Sequence, residues 1–439
     1  MPKLFNRLNV YKCVWLAGLS LFFFASYNFA NWLTLQRQDV PSLFFSWEHS
    51  IPLWPWTIVP YWSIDLMYGL AILLTSSWQS LKTLGLRLLT AQMVCIICFL
   101  LFPLKFYFDR PVLNGFFGLL FDILMGFDKP FNQAPSLHIT LLVILWQFYA
   151  QYFRRLGRYI LHLWCFLIAL SVLTTWQHHF FDIPTGLWVG CLCIWLWPDN
   201  RLTPSIYRPL NYHWTIIYLV LSLLSLTMAI YLSGWALWLL WLAGALVLVA
   251  VNYLFFGASG FQKQQNGRFK LAVNLLYLPY FIIMWLNSRI WTIRHQADDL
   301  IADDVYLGRI PSTSALNQHH FISVVDLCAE LPIGHFKGTY TLIPVLDMTP
   351  LSQKECQQAA QIIEQYRQQG KLLVCCGLGY SRSATAVIAW LLWTKKVDNL
   401  QQAINKVKKH RHSIVISNQQ QLILANWLAN IKDGQRHVK

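Results

Sequence analysis

"KLLVCCGLGYSRSATAV", residues 371–387, sets an apolar run, two adjacent cysteines, a glycine-bearing turn and an arginine ahead of a helix-favouring segment. "KLLVCC" reads as a strand and residues 383 to 396 as a helix, so the loop between them curls onto a helix N-terminus. Backbone N–H groups and the helix dipole at such a place hold an anion. Cys376 and Arg382 are separated by five residues, with Gly379 between them and Ser383 directly after. A thiolate at Cys376 is suited to attack a phosphate monoester, Arg382 clamps the phosphoryl oxygens with two prongs, and Ser383 hydrogen-bonds the sulfur as it leaves. The departing oxygen needs a proton, and Asp347 in "IPVLDMTPLS", just past another strand-like run, is the candidate acid.

Around this loop, short strand-like runs ("FISVVDLC", "TYTLIPVLD") alternate with helical ones near 352–369, 399–410 and 417–431. That alternation predicts a soluble α/β domain. The acidic "ADDLIADD", 297–304, reads as the linker in front of it. In "NLQQAINKVKKHRH", Lys406, Lys408, Lys409 and Arg411 read as a solvated basic face, with docking on anionic headgroups as the alternative.

The rest of the chain is of another kind. The 439 residues are 56% hydrophobic and 12% charged, and only eight acids precede Ile290 against eleven after it. Apolar runs near 13–34, 55–75, 86–104, 137–153, 159–176, 184–197, 214–232, 235–256 and 270–288 predict a multi-span α-helical membrane bundle, two of the runs being short. The net charge of +15 does not indicate nucleic acid, because the bases cluster at alternate connections: Lys3, Arg7 and Lys12; Lys82 and Arg87; Arg154, Arg155 and Arg158; Arg201 and Arg208; Lys263, Arg268 and Lys270. Those loops are expected on the cytoplasmic side, and membrane lipids are the expected surroundings. The ten cysteines form neither a zinc pattern nor a disulfide framework, and no metal or cofactor is expected.

Three polar clusters share the opposite face of the expected bundle: Arg110 with Pro111, Ser136 with His138, and His178 with Asp182. Ionisable groups at membrane helix ends are functional candidates because hydrocarbon makes them costly. Arg110 and Ser136 suit phosphoryl oxygens, one histidine suits attack on phosphorus, the other suits protonation of the leaving group, and Asp182 suits orientation of His178. His179 reads as an interface residue.

These clusters resemble the motifs of the phosphatidic acid phosphatase type 2 superfamily: R-P at Arg110 and Pro111, "PSLH" at 135–138, and Ser171, His178 and Asp182. The resemblance covers about residues 60–200. It implies His178 as nucleophile, His138 as general acid, and Arg110 and Ser136 as phosphate ligands. Pro103, Leu137 and Val172 stand where that family has lysine, glycine and arginine, and Lys105 is two residues out of register.

The tail resembles the dual-specificity branch of the tyrosine phosphatases over about 300–435, with Cys376, Gly379, Arg382, Ser383 and Asp347 on its pattern and Cys375 in place of the usual histidine. The order of modules is similar to bacterial fusions of the two families, and "GYSRSAT" resembles the loop of phosphatases acting on phosphatidylglycerophosphate. The resemblances imply a phosphoric monoester hydrolase with a cysteine site and a histidine site, acting on a lipid-linked phosphate. The alternative is a protein phosphatase, with a phosphoprotein as substrate and the bundle as anchor or as a lipid-binding or transport module.

The expected organisation is a membrane domain over 1–210, further spans and linker over 211–296, and the phosphatase-like domain over 297–439. Nine crossings from a cytoplasmic N-terminus would place the tail outside, and eight would place it in the cytoplasm, the last run, with Pro279 in it, then being re-entrant or interfacial. A reactive thiol favours the reducing, cytoplasmic side of the inner membrane.

Overall fold

The structure is a computed structural model describing residues 2–199 and 209–436. Arg201 and Arg208 lie outside the described residues. The chain divides into two compact units, Met1–Thr203 and Pro204–Lys439.

The first unit is helical: α1 (Pro2–Leu35), α2 (Ile58–Leu74), α3 (Trp78–Leu101), α4 (Gly115–Phe127), α5 (Leu137–Ala150), α6 (Leu156–Thr174) and α7 (Asp182–Leu196). Ser77 caps α3 by accepting from the Ser80 N–H, and Ser136 caps α5 by accepting from that of Ile139. The second unit opens with α8 (Tyr212–Leu232), α9 (Leu239–Val251, prolonged by irregular turns to Phe261) and α10 (Leu271–Trp291), which runs on through Pro279. Among the described residues, seven helices are long and apolar enough to cross a membrane, while α4, α5 and α7 are shorter. The expected apolar runs fall on α1 to α3 and α5 to α10, and α4 is an addition whose run is too short to be singled out.

After α10 come β1 (Asp298–Ala302), β2 (Val305–Arg309), α11 (Thr313–His319), β3 (Ser323–Cys328), β4 (Thr339–Val345), α12 (Gln353–Arg367), β5 (Leu372–Cys376), α13 (Arg382–Trp393), α14 (Leu400–His410) and α15 (Asn418–Arg436). The sheet order is β1-β2-β5-β3-β4, with β1 antiparallel and the others parallel. β5 is central and wholly buried, as its unbroken apolar run requires of a strand covered on both faces.

The acidic segment read as a linker is instead the first hairpin of this sheet. Asp303 and Asp304 both adopt positive φ, 45° and 61°, and form the two-residue turn that joins β1 to β2. The alternating pleat of β5 separates the two cysteines. Leu372, Val374 and Cys376 face the core shared with Trp390, Val387 and Trp427; Leu373 and Cys375 face the other side, with Ile310, Leu316 and Phe321.

Candidate active site

β5 delivers Cys376 at its C-terminal end, and α13 begins at Arg382, so the loop between them sits on the first turn of a helix. Gly379 has φ of +76°, and a Cβ there would stand 2.5 Å from the Gly308 carbonyl carbon. Only glycine fits that approach. The turn lets the Gly379 N–H donate to the Cys376 sulfur at 3.2 Å, and the Ser383 hydroxyl donates to the same sulfur at 3.2 Å. Both donors converge on the sulfur at the head of α13.

Arg382 is nearly sealed from solvent. Its Nη1 and Nη2 reach the two oxygens of Glu330 at 2.9 and 2.6 Å, Nη1 also reaches the Val345 carbonyl at 2.8 Å, and Nη2 reaches Asp347 Oδ1 at 3.0 Å. Burial works to raise the Glu330 carboxyl, but the Arg382 guanidinium prevails and holds it below its ordinary range. For Asp347 burial wins: its carboxyl is pushed above the ordinary value against the pull of Arg382, with Glu330 adding to the rise. A carboxyl so placed keeps a proton for a leaving group at higher pH than a free aspartate would.

Other residues hold the two loops. Arg411, read from sequence as part of a solvated face, is buried; its Nε donates to the Gly379 carbonyl at 2.9 Å and its Nη1 to Asp299 at 2.6 Å. From α10, the Ser288 hydroxyl donates to the Gly377 carbonyl at 2.6 Å. At the end of α9, the Tyr253 hydroxyl donates to the Asp347 carbonyl at 2.9 Å. Lys263 is likewise buried, paired with Asp326 at 2.7 Å. Cys375, on the same sheet face, has its thiol pushed well up by burial first and Asp326 second, with Lys263 opposing. None of these residues left a sequence signal: Glu330 follows a strand that already carries an acid, Asp326, and the rest lie far from the loop in sequence.

In the first unit, His138 and His178 line one cavity. His178 Nδ1 meets Asp182 Oδ2 at 3.1 Å, the pairing their spacing suggests, while His138 Nε2 lies 2.8 Å from the Tyr61 carbonyl. The expected phosphate ligands are not among the lining residues. Ser136 is consumed as the cap of α5, and Arg110 lines a different cavity with its Nη2 donating to the Trp176 carbonyl at 2.8 Å. Asp65 and Asp128 line the histidine cavity instead. Lys105 is exposed. His179 is buried between Glu48, at 2.9 Å, and the Tyr107 N–H, at 3.1 Å, as a structural residue.

Compared with known proteins, residues 305–428 match the family described as "Dual specificity phosphatase, catalytic domain". Over 124 residues the chain is 32% identical to "Putative tyrosine phosphatase 123R" of Invertebrate iridescent virus 6, a stretch covering 27% of this chain and 82% of that relative. Similar solved structures include PTPMT1 in complex with PI(5)P, at 20% identity and a TM-score of 0.29 over 32% of this chain and 99% of the other. Tk-PTP in its active form is 25% identical with a TM-score of 0.27, over 30% and 95%. Human DUSP28 is 19% identical with a TM-score of 0.29, over 31% and 97%.

Proposed function

We propose, for a chain that belongs to the dual specificity phosphatase family through its C-terminal domain, that Cys376 hydrolyses phosphate monoesters carried by membrane lipids. The observation that carries the chemistry is the Cys376 sulfur at the head of α13, held by the Gly379 N–H and the Ser383 hydroxyl. The thiolate attacks phosphorus while Arg382 and the loop N–H groups hold the three phosphoryl oxygens. Asp347 gives its proton to the departing alcohol, leaving a phosphocysteine. Water, deprotonated by Asp347, then attacks phosphorus; the sulfur leaves as thiolate with the Ser383 hydroxyl bonded to it, and inorganic phosphate is released.

The lipid assignment is supported by α8, α9 and α10, apolar helices that belong to the same compact unit as the catalytic residues and hold both catalytic loops through Tyr253 and Ser288. The full chain in lipid discs is expected to hydrolyse phosphatidylglycerophosphate or phosphatidate at least tenfold faster, by kcat/KM, than a phosphotyrosine peptide. The reverse preference would favour the protein-phosphatase reading. A second, histidine-based phosphatase site of the phosphatidic acid phosphatase type 2 kind is not part of this proposal, because the carboxyl groups of Asp65 and Asp128 line the cavity where a phosphate dianion needs cations. His178→Ala is therefore expected to leave hydrolysis within about twofold of the parent; a loss of phosphatidate hydrolysis alone would restore the second site.

Asp347→Asn tests the acid. Hydrolysis of alkyl phosphates is expected to fall by about 10²- to 10⁴-fold, and that of an aryl phosphate with a good leaving group by much less. The parent's kcat/KM falls as pH rises through the elevated Asp347 pKa and the proton is lost; pH–rate profiles should show that limb missing in the variant.

A further inference from the structure

α10 has 21 residues, about 31 Å of helix, enough to cross a bilayer. Yet its flanks and its middle all hold the same α/β domain. Ahead of it, Lys263 Nζ donates to Asp326 and to the Cys328 carbonyl, both at 2.7 Å. The Gly267 carbonyl accepts from the Ile333 N–H at 3.1 Å, and Arg268 meets His335 at 2.9 Å. Midway, Met284 packs on the sheet face that buries Cys375. At its end, Ser288 bonds the Gly377 carbonyl and Arg289 donates twice to the Ile310 carbonyl at 3.1 Å. A helix tied to one folded domain at both ends cannot carry those ends to opposite sides of a hydrocarbon layer about 30 Å thick. The domain would have to enter the lipid with its charges and loop backbone, which hydrocarbon forbids.

The hairpin α8–α9 differs. Its foot is closed by the Asn211 N–H donating to the Tyr253 carbonyl at 3.1 Å, and its turn at Ser233 and Gly234 lies a helix length away.

The outer face of α10 is apolar. Leu271, Leu278, Ile282, Trp285 and Leu286 are each 40% exposed or more, at spacings that put them on one side of the helix, while Val273, Leu276, Tyr277 and Tyr280 are buried on the other. Trp285 and Trp291, with Lys270 and Arg294 flanking the helix, are the residues of a headgroup-level anchor, apolar below and cationic beside anionic lipid.

Building on the membrane reading above, we infer that α10 does not cross the membrane but lies on its surface with this face in lipid. The α8–α9 hairpin is then the last pair of crossings. Cys376 stands on the side of the loop 262–270, the cytoplasmic side by the exposed Arg268 and the half-buried Lys270, and its cleft opens at headgroup depth.

The test uses the full chain in sealed vesicles of both orientations, with Trp235→Cys, Gln265→Cys and Gln296→Cys read by a membrane-impermeant maleimide against the parent. Positions 265 and 296 should label from one side, and 235 from the other. Labelling of 265 and 296 from opposite sides overturns the inference while leaving the membrane reading intact. Labelling of 235 from the same side as 265 instead removes the crossing hairpin, and with it the membrane reading. Ile282→Cys carrying a fluorophore should be quenched by brominated lipids. An unquenched probe, or one cross-linked to a second copy, would show that lipid is not what covers this face.

Discussion

Cys376→Ser is expected to abolish hydrolysis of every substrate, lowering kcat by on the order of 10⁴-fold or more, with little change in melting temperature. A hydroxyl replaces the thiol without changing the size of the side chain much, and both donors to the sulfur, the Gly379 N–H and the Ser383 hydroxyl, remain. What is lost is the thiolate, because an alcohol at this position has no neighbouring base to take its proton. Inorganic phosphate should still bind, held by Arg382 and the loop, and calorimetric titration of the variant checks this. Residual turnover above about one part in a thousand on any substrate would mean that a second site acts.

Glu330→Ala should harm both stability and catalysis. Glu330 and Arg382 are buried together, at 0% and 3% exposure, and joined by two bonds of 2.6 and 2.9 Å. Removing the acid leaves a buried guanidinium with Asp347 and one carbonyl, a loss of about 3 kcal/mol or more. Freed from its fork, Arg382 no longer presents a fixed pair of donors, and kcat/KM should fall by about 10²-fold. Because the folded-state pKa of Glu330 is depressed, the pair's stabilisation is fully present above the ordinary glutamate pKa and fades as pH falls through the folded value. The difference in denaturation midpoint between parent and variant should therefore narrow in acid. Glu330→Gln, which keeps the shape and one acceptor, should recover part of the activity.

The catalytic loop was legible because its parts lie within eight residues and each residue type has one good reason to be there. Gly379 answers to a left-handed turn, Ser383 to the sulfur, and Arg382 to the phosphate. Asp347 was within reach because acids beyond strand ends are few in the tail. Glu330, Arg411, Tyr253 and Ser288 come from distant segments and meet the loop only through tertiary packing, which leaves no spacing to read. Charge misled three times, the first at Arg411, read as solvated and found buried against the catalytic loop. "ADDLIADD" reads as a linker, yet Asp298, Asp299, Leu300 and Ala302 pair in a hairpin and its last two aspartates accept the turn conformation; Lys263 looks like a loop cation, yet it neutralises Asp326 beneath the sheet. In the helical unit, the i,i+4 pair His178 and Asp182 is local and legible, whereas the backbone demands that occupy Ser136 and Arg110 are not.

The engagement of Lys263, Tyr253 and Ser288 with the sheet and its loops also bears on how this protein can be divided. A fragment starting at residue 297 would keep every residue of the chemistry, yet strip Asp326 of its buried counter-ion, uncover the apolar sheet face around Cys375, and release both catalytic loops from their anchors. The anchors of the catalytic loops thus lie ahead of the first strand, from Tyr253 to Ser288. The end of α9, the loop after it and α10 hold the catalytic loops and the sheet, so recombination that exchanges them for another anchor would have to supply those three contacts again.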